Sequence, residues 1–356
     1  MTPNKIVFIA DARSIHSVKW INFIAQNTNN EIYWASLFEG NYEKLEKVNF
    51  LPISKSFLRN ILRFTWFLFS NEEILVNLHY IGFHSLFLLF LNKKAKLVTN
   101  AWGSDLVFSK INIFRKIWLK FIISRSSIVI SDCYHHYEFL KNYGLNLDNF
   151  RYVPYGTDTE KFVPKRECFS NENIEILNPR GLSEVYDPKT FILSAKKVLE
   201  VYPNIIFKLA GRGHLEKELK MLVNKMGISK NVIFLGFLSQ SDLINEINAS
   251  DIVVSCALRD GGIAGSTSEA MSCERLVVVT NNSDNHLWIK HGENGFLFEN
   301  LDYINLSDVI LKIIGDQKKL SLIAKNARKT ILEKNSYSKQ MNKIIKTYDK
   351  LIQTYK

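Results

Sequence analysis

Residues 251–282, DIVVSCALRDGGIAGSTSEAMSCERLVVVTNN, hold the densest set of residue types able to do chemistry. An apolar run ending near Ser255 leads into a glycine-rich loop (Gly261, Gly262, Gly265), and Ser266, Thr267 and Ser268 then precede Glu269. That order predicts a strand, a loop and a helix start. Small hydroxyl residues cap such a start, glycines let a ligand approach the backbone, and the unpaired amides at the helix end favour an anion. A phosphate is the natural guest. Glu269, a carboxylate expected in the first turn, has two readings: it accepts hydrogen bonds from ribose hydroxyls, or it complements the helix dipole.

The elements that would position this loop follow from the pattern of the whole chain. Short apolar runs alternate with longer segments of helical period, which is the signature of βαβ units and a parallel sheet. Six candidate strands occupy Lys5–Ala10, Glu31–Ser36, Glu73–Leu78, Lys96–Thr99, Ser127–Ser131 and Phe150–Pro154. A second series follows at Ile174–Leu177, Ile205–Ala210, Asn231–Leu235, Ile252–Ser255, Leu276–Thr280 and Gly295–Phe298, with helix-like stretches such as Lys189–Val201 and Leu215–Met226 between them. The polar, aperiodic segment Pro164–Asn173 is the expected boundary. Residues 336–356 carry Met341, Ile344, Ile345, Tyr348, Leu351 and Ile352 at helical spacing, so an amphipathic helix closes the chain.

Bulk properties narrow the class. With 356 residues, 46% hydrophobic and 23% charged, the chain has room for two ordinary globular domains. The N-terminal apolar run, Ile6 to Ala10, is too short for a signal-peptide core, and no stretch reaches the roughly 18 apolar residues of a membrane span. Cys133, Cys168, Cys256 and Cys273 are far apart, with neither a disulfide framework nor zinc spacing, and suggest reduced thiols in a cytosol. The net charge of +11 points to nucleic acid, an anionic membrane or a phosphorylated small molecule. Most of it is local: residues 56–125 hold ten Lys/Arg against three acidic residues.

Segment 251–282 resembles the acidic-residue/EAM signature of family 4 glycosyltransferases, group 1 type. Five further stretches agree with that family in order. VPYGTDTEKF (Val153–Phe162) resembles the interdomain stretch, and RGLSEVYDP (Arg180–Pro188) resembles the loop whose arginine contacts the donor phosphates. LAGRGHLEKEL (Leu209–Leu219), VIFLGFLSQSDL (Val232–Leu243) and HGENGFLF (His291–Phe298) are similar to the remaining landmarks. Together they run through residues 150–300 almost continuously.

The resemblance implies an α/β chain of the GT-B fold, two Rossmann-like domains facing each other across a cleft. Residues 1–165, completed by helix 336–356, would bind the acceptor, and residues 166–335 the nucleotide-sugar. It implies Arg180, Gly211, Gly261, Gly262, Ser266, Thr267 and Glu269 around the donor. Two departures stand out: the position eight before Glu269 is Gly261, with Asp260 the nearest acid, and Val185 and Tyr186 stand where the phosphate loop has its lysine, with Lys189 the nearest cation.

In the N-terminal half, three strand ends converge on one rim: Asp11, Arg13, Ser14 and His16 after the first strand, His79 and Tyr80 after another, and Trp102, Gly103, Ser104 and Asp105 after a third. Open α/β sheets place ligands there. His16 either faces the ligand or packs a helix start, and Asp105 either accepts hydrogen bonds from sugar hydroxyls or caps a helix. Trp102 stands where many relatives have a histidine. SFLRNILRFTWFLF (Ser56–Phe69) and KINIFRKIWLKFII (Lys110–Ile123) read either as interfacial helices on an anionic membrane or as buried helices with snorkelling cations. Shared charge and location favour the membrane surface. Nucleic acid is the weaker partner, since no binding module accompanies the charge.

By resemblance, the expected activity is metal-independent, retaining transfer of a sugar from a nucleotide-sugar, UDP-linked by preference, with GDP and CMP donors open. The acceptor would be a glycan or lipid-linked molecule in cell-surface polysaccharide or glycoconjugate biosynthesis, at the cytoplasmic face of a membrane. Arg180 and the helix start would stabilise the leaving phosphate, with Asp260, Glu269 and Asp105 at the reacting sugars. No Asp-x-Asp motif suited to a donor-bound metal is present, and the nucleotide-sugar is a co-substrate, so no cofactor is expected. A nucleotide-sugar epimerase of similar fold and a non-catalytic sugar-nucleotide-binding partner are the rival readings.

Overall fold

The computed structural model describes residues 4–40, 45–52, 57–102, 106, 113–170 and 173–355. The chain forms two compact units, Met1–Pro154 with Ser338–Lys356, and Tyr155–Tyr337. In unit 1 the strands are β1 (Lys5–Ile9), β2 (Glu31–Ser36), β3 (Val48–Pro52), β4 (Ile74–His79), β5 (Lys96–Ala101), β6 (Ile128–Ser131) and β7 (Phe150–Tyr152). They form one sheet in the order β3-β2-β1-β4-β5-β6-β7. All pairings are parallel, with Lys5 of β1 in register with Glu31 on one side and Ile74 on the other. The strand order reverses between β1 and β4, which makes their carboxyl ends the natural ligand position.

Helices α1 (Ile15–Asn27), α2 (Phe57–Ser70), α3 (Ile113–Arg125) and α4 (Tyr134–Asn142) cover this sheet, with a 3-10 helix at Phe83–Phe90. Right-handed crossovers put α1 on one face and α2, the 3-10 helix, α3 and α4 on the other. Accordingly Phe64, Phe87, Leu119, Ile122 and Leu140 share one core with Val7, Val76 and Leu97 of the strands. The terminal helix Tyr337–Gln353 meets α1, where Trp20 Nε1 donates to Tyr348 Oη at 3.3 Å.

Unit 2 has β8 (Glu175–Asn178), β9 (Ile206–Ala210), β10 (Val232–Gly236), β11 (Ile252–Ser255), β12 (Leu276–Thr280) and β13 (Phe296–Phe298), in the order β10-β9-β8-β11-β12-β13. Its first helices are α5 (Pro188–Val201), α6 (Glu216–Lys225), α7 (Gln240–Ala249) and α8 (Gly265–Ser272). β11 and β12 are buried throughout, as parallel strands covered on both faces must be, which is why they are continuous apolar runs in the sequence. This sheet reverses between β8 and β11.

All twelve strands expected from the apolar runs are present within a residue or two at each end. β3 was not expected: it is an edge strand of the described sheet and ends in Pro52, and proline is tolerated at an edge. The unit boundary also differs from the expected Pro164–Asn173. Residues 155–165 belong to unit 2 because Phe162 is buried in the same cluster as Leu177 and Met271, and Lys165 N donates to Asn248 Oδ1 at 2.8 Å.

The stretch beyond, though polar, is fastened rather than loose. Arg166 Nη1 lies 2.9 Å from Asp251 Oδ1, and the fully buried Asp251 also accepts from Phe169 N at 2.8 Å and Glu175 N at 3.1 Å. Arg275, wholly buried beside them, donates to the carbonyls of Cys273, Ser250 and Arg166. Removing one partner from such a network leaves an uncompensated charge. Asp251→Ala should lower the urea-unfolding free energy by about 3 kcal/mol, the lower end for a buried pair because Arg166 is partly exposed.

Candidate functional site

The switch point of unit 2 brings Arg180 and Asp260 together. Arg180 follows β8 and Asp260 lies in the loop between β11 and α8, yet Arg180 Nη2 donates to Asp260 Oδ1 at 2.5 Å. Arg180 Nη1 reaches Ser266 Oγ at 3.4 Å, and Arg180 N is fixed by Asn178 Oδ1 at 3.1 Å. The guanidinium lies over the Tyr186 ring, 4.5 Å from its centroid. Tyr186, one of two residues standing in place of the expected lysine, thus supports the arginine by a cation–π contact.

Glycines set this loop against its neighbour. Gly211 has φ +150, and a Cβ there would meet the Arg180 carbonyl oxygen at 2.5 Å; at Gly213 a Cβ would meet Leu182 O at 2.0 Å. Gly211 therefore acts beneath Arg180, seating its backbone. Gly213 does the same for Leu182, which also donates from its N to Arg212 O at 3.1 Å. The sequence gives Gly213 no separate signal, since its need arises only once β8 and β9 are neighbours.

The helix start differs in detail from expectation. α8 begins at Gly265 with Ala264 as N-cap and no side-chain capping bond, so Ser266, Thr267 and Ser268 lie inside the first turns. Two of the hydroxyls serve elsewhere: Ser266 Oγ accepts from Arg180, and Ser268 Oγ accepts from Thr157 Oγ1 at 2.7 Å and donates to Gly265 O at 2.9 Å. Glu269 is the fifth helical residue rather than a first-turn residue, and it is half-buried. An uncapped helix end keeps its first amides available for an anion. Gly261 and Gly262 lie in the preceding loop, half-buried and buried, while Gly265 is exposed with open space where a Cβ would stand. Lys189 is exposed as the second residue of α5, where its charge acts on Asp187, the N-cap of that helix.

Burial raises the pKa of the Asp260 carboxyl, an effect that the Arg180 charge and hydrogen bond offset only in part. Asp260 Oδ2, Arg180 Nε and Asn178 Nδ2 are buried without a hydrogen-bond partner. Three unsatisfied polar atoms, two at the end of β8 and one in the loop after β11, leave hydrogen-bonding capacity open at the switch point.

In unit 1 a cavity of about 460 Å³ opens at the carboxyl ends of β1, β2, β4 and β5. Asp11, Phe38, Tyr80, Phe83, His84 and Trp102 are among its walls. Asp11 is paired with Arg13, with Nη2 to Oδ2 at 2.7 Å, and the Arg13 guanidinium sits 3.9 Å over the Phe38 ring. Burial pushes the Asp11 carboxyl up, but hydrogen bonds from Arg13 outweigh it and hold the pKa below the ordinary range. His16 is exposed at this cavity, its ring centroid 6.5 Å from that of Trp102. Tyr80 holds φ +68, which a tyrosine rarely adopts.

His79 contributes to the wall but is not a free ligand. It is 1% exposed, its Nδ1 is 3.2 Å from Ser17 Oγ, and its Nε2 is 2.9 Å from Asn77 Oδ1. The amide oxygen accepts, so Nε2 carries the proton and Nδ1 accepts from Ser17. Burial pushes its pKa down to about 3, so the ring is neutral. His84, absent from the expected set, donates Nε2–H to the His79 carbonyl at 2.7 Å; burial lowers its pKa too. Gly103, Ser104 and Asp105 lie outside the described residues.

Residues 160–330 match the family model described as glycosyl transferases group 1, a stretch that contains Arg180, Asp260 and α8. Unit 2 is a glycosyl transferases group 1 domain. In sequence, the chain is 28% identical over 213 residues to an Escherichia coli UDP-Gal:alpha-D-GlcNAc-diphosphoundecaprenol alpha-1,3-galactosyltransferase, covering 55% of this chain and 53% of that one. It is 25% identical over 183 residues to a Corynebacterium glutamicum GDP-mannose-dependent monoacylated alpha-(1-6)-phosphatidylinositol monomannoside mannosyltransferase, 47% of each. The chain spans about half the length of the curated relatives it matches.

The fold extends further than the group 1 domain. A glycosyltransferase from Rickettsia africae superposes with a TM-score of 0.82 over 99% of both chains at 15% identity. Anabaena HepE in complex with UDP-glucose does so with 0.75 over 97% of this chain and 99% of that one, at 17% identity. Both units together therefore have the GT-B fold. Among the described residues, no group of three or more His, Cys, Asp or Glu side chains is placed to hold a metal ion.

The raised Asp260 pKa has a measurable consequence. The folded chain holds this proton at higher pH than the unfolded chain, so the group favours folding most in acid and less as pH rises through its folded pKa. Asp260→Asn should remove that part of the decline in unfolding free energy, read from urea titrations of both proteins at pH values from about 4 upward.

Proposed function

We propose that the chain is a retaining, metal-independent glycosyltransferase that binds a nucleotide-sugar in the group 1 domain and an acceptor at the cavity of unit 1. The observation that carries this reading is Arg180, held against Asp260 and Ser266 beside the uncapped start of α8. A cation and a helix end aimed at one place stabilise the negative charge that develops on a leaving phosphate. The acceptor hydroxyl oxygen bonds to the sugar carbon, the bond to the phosphate oxygen breaks with its electron pair, and that oxygen takes the hydroxyl proton. Such a reaction needs no separate protein base.

In this reading Asp260, released from Arg180 by the incoming phosphate, accepts hydrogen bonds from the sugar, and Glu269 binds the ribose. A UDP-sugar is the favoured donor, consistent with the UDP-Gal relative and with the UDP-glucose bound to HepE. A lipid-linked acceptor is favoured by the diphosphoundecaprenol and phosphatidylinositol named for the two relatives. We place the protein at the cytoplasmic face of a membrane, docked through segments 56–69 and 110–123, in the synthesis of a cell-surface polysaccharide or glycolipid. No helix of the described residues is long and apolar enough to cross a membrane.

Calorimetric titration with UDP and UDP-glucose tests the donor site. Arg180→Ala should weaken binding roughly tenfold to a hundredfold, the loss expected for hydrogen bonds to a charged group, and Glu269→Ala should weaken it while leaving the unfolding midpoint unchanged. Unchanged affinity in both variants contradicts the assignment. Transfer to acceptor should persist in excess EDTA; loss of activity restored by magnesium or manganese would mean that a metal supports the leaving group.

A further inference from the structure

Three elements of unit 1 leave large apolar side chains in water. α2 has two apolar faces: Phe64 and Leu68 enter the core, whereas Leu58, Leu62, Trp66 and Phe69, at i, i+4, i+8 and i+11, are each at least 60% exposed. In α3, Ile113, Phe114 and Ile117 are exposed to the same degree. Between them the 3-10 helix Phe83–Phe90 exposes Phe83, Leu86, Leu89 and Phe90. It is packed to both neighbours, through Phe64 and Phe87 with ring centroids 5.1 Å apart, and through Trp118 Nε1 donating to Ser85 Oγ at 2.9 Å. A buried-helix reading of segments 56–69 and 110–123 accounts for the inner faces and not for these outer ones.

The charge around this surface selects its partner. α2, the 3-10 helix and α3 contain Arg59, Arg63, Arg115, Lys116, Lys120 and Arg125 and no carboxylate. Of these, Arg125 turns inward to the carbonyls of Asn92 and Ala95, at 2.5 and 3.0 Å. A second copy of the chain would set like charges against one another. An anionic bilayer instead offers phosphates to the cations and acyl chains to the aromatic and aliphatic side chains. An apolar surface of this extent, rimmed by charge, marks an interaction site rather than ordinary exposure.

We propose that residues 83–90, absent from the sequence expectation, are the wedge of a three-element surface that inserts into an anionic bilayer and sets the unit 1 cavity at the headgroup layer. The link is Phe83, which is 75% exposed and also lines the cavity. The wedge deepens the membrane reading given above: a lipid-linked acceptor reaches the cavity laterally from the headgroup layer, and the apolar wedge, not charge alone, sets the depth.

The full chain is sedimented with phosphatidylcholine vesicles, with and without about one third phosphatidylglycerol. The combined variant Leu86→Ser, Leu89→Ser, Phe90→Ser should lose at least about tenfold in partition to the anionic vesicles. Replacing Arg59, Arg63, Lys116 and Lys120 by Gln should abolish the preference for anionic over neutral vesicles. UDP affinity should be unchanged in both variants, because the group 1 domain lacks these residues; absent UDP binding in every form would fail the donor-site reading and leave this one standing. Partition of the serine variant equal to wild type overturns the wedge. So does a wild type that binds neither vesicle but forms a dimer that the same substitutions dissolve in sedimentation equilibrium.

Discussion

The candidate site depends on a cation kept in place before any ligand arrives. Arg180 is mostly buried, and a guanidinium in that position is stable only with partners. Asp260 supplies the charge, Tyr186 the ring face, Ser266 a hydroxyl and Asn178 the anchor for its backbone. Asn178 and Tyr186 belong to the arginine's own segment and Asp260 and Ser266 to the one that follows β11, and the strand reversal between β8 and β11 is what brings the two segments together. Gly211 and Gly213 are glycine for the same reason: the β9 loop must touch the backbone that carries the arginine.

The same topological device operates in unit 1, with different chemistry. Reversal between β1 and β4 collects aromatic rings, one carboxylate and several histidines around a cavity. Its floor holds a buried polar network: His79 bonds Ser17 and Asn77, Asn77 Oδ1 also accepts from Tyr348 Oη at 2.5 Å, and Asn77 Nδ2 donates to Asn100 Oδ1 at 3.1 Å, whose own Nδ2 is buried without a partner. Aromatic faces with a few polar groups suit a ligand that is part hydrocarbon face and part hydroxyl.

Much of this arrangement was legible in the sequence because parallel strands announce themselves as short apolar runs, and Arg180, Asp260 and α8 lie within recognisable segments. What escaped was set by tertiary contact. β3, VNFLP, is broken by Asn49 and ends in Pro52, so it carries no continuous apolar run, and His84 gains its partner only when the 3-10 helix turns it toward the His79 carbonyl. Ser266 to Ser268 were read as caps, but helix formation starts earlier, at Gly265, leaving Ala264 as an uncapped N-cap. His79 was read as a ligand because a strand-end histidine looks available; the Ser17 and Asn77 partners that occupy it are 62 and 2 positions away in the chain. The polar segment Pro164–Asn173 reads as a boundary because the partners of Lys165, Arg166 and Phe169, Asn248 and Asp251, lie far along the chain.

In the proposed reaction Arg180 exchanges Asp260 for a phosphate. A crystal structure of the protein with UDP tests this most directly. It should show the β-phosphate within hydrogen-bond distance of Arg180 and of the first-turn amides of α8, with the 2.5 Å contact to Asp260 lengthened or lost. UDP bound elsewhere, with that contact intact, would contradict it.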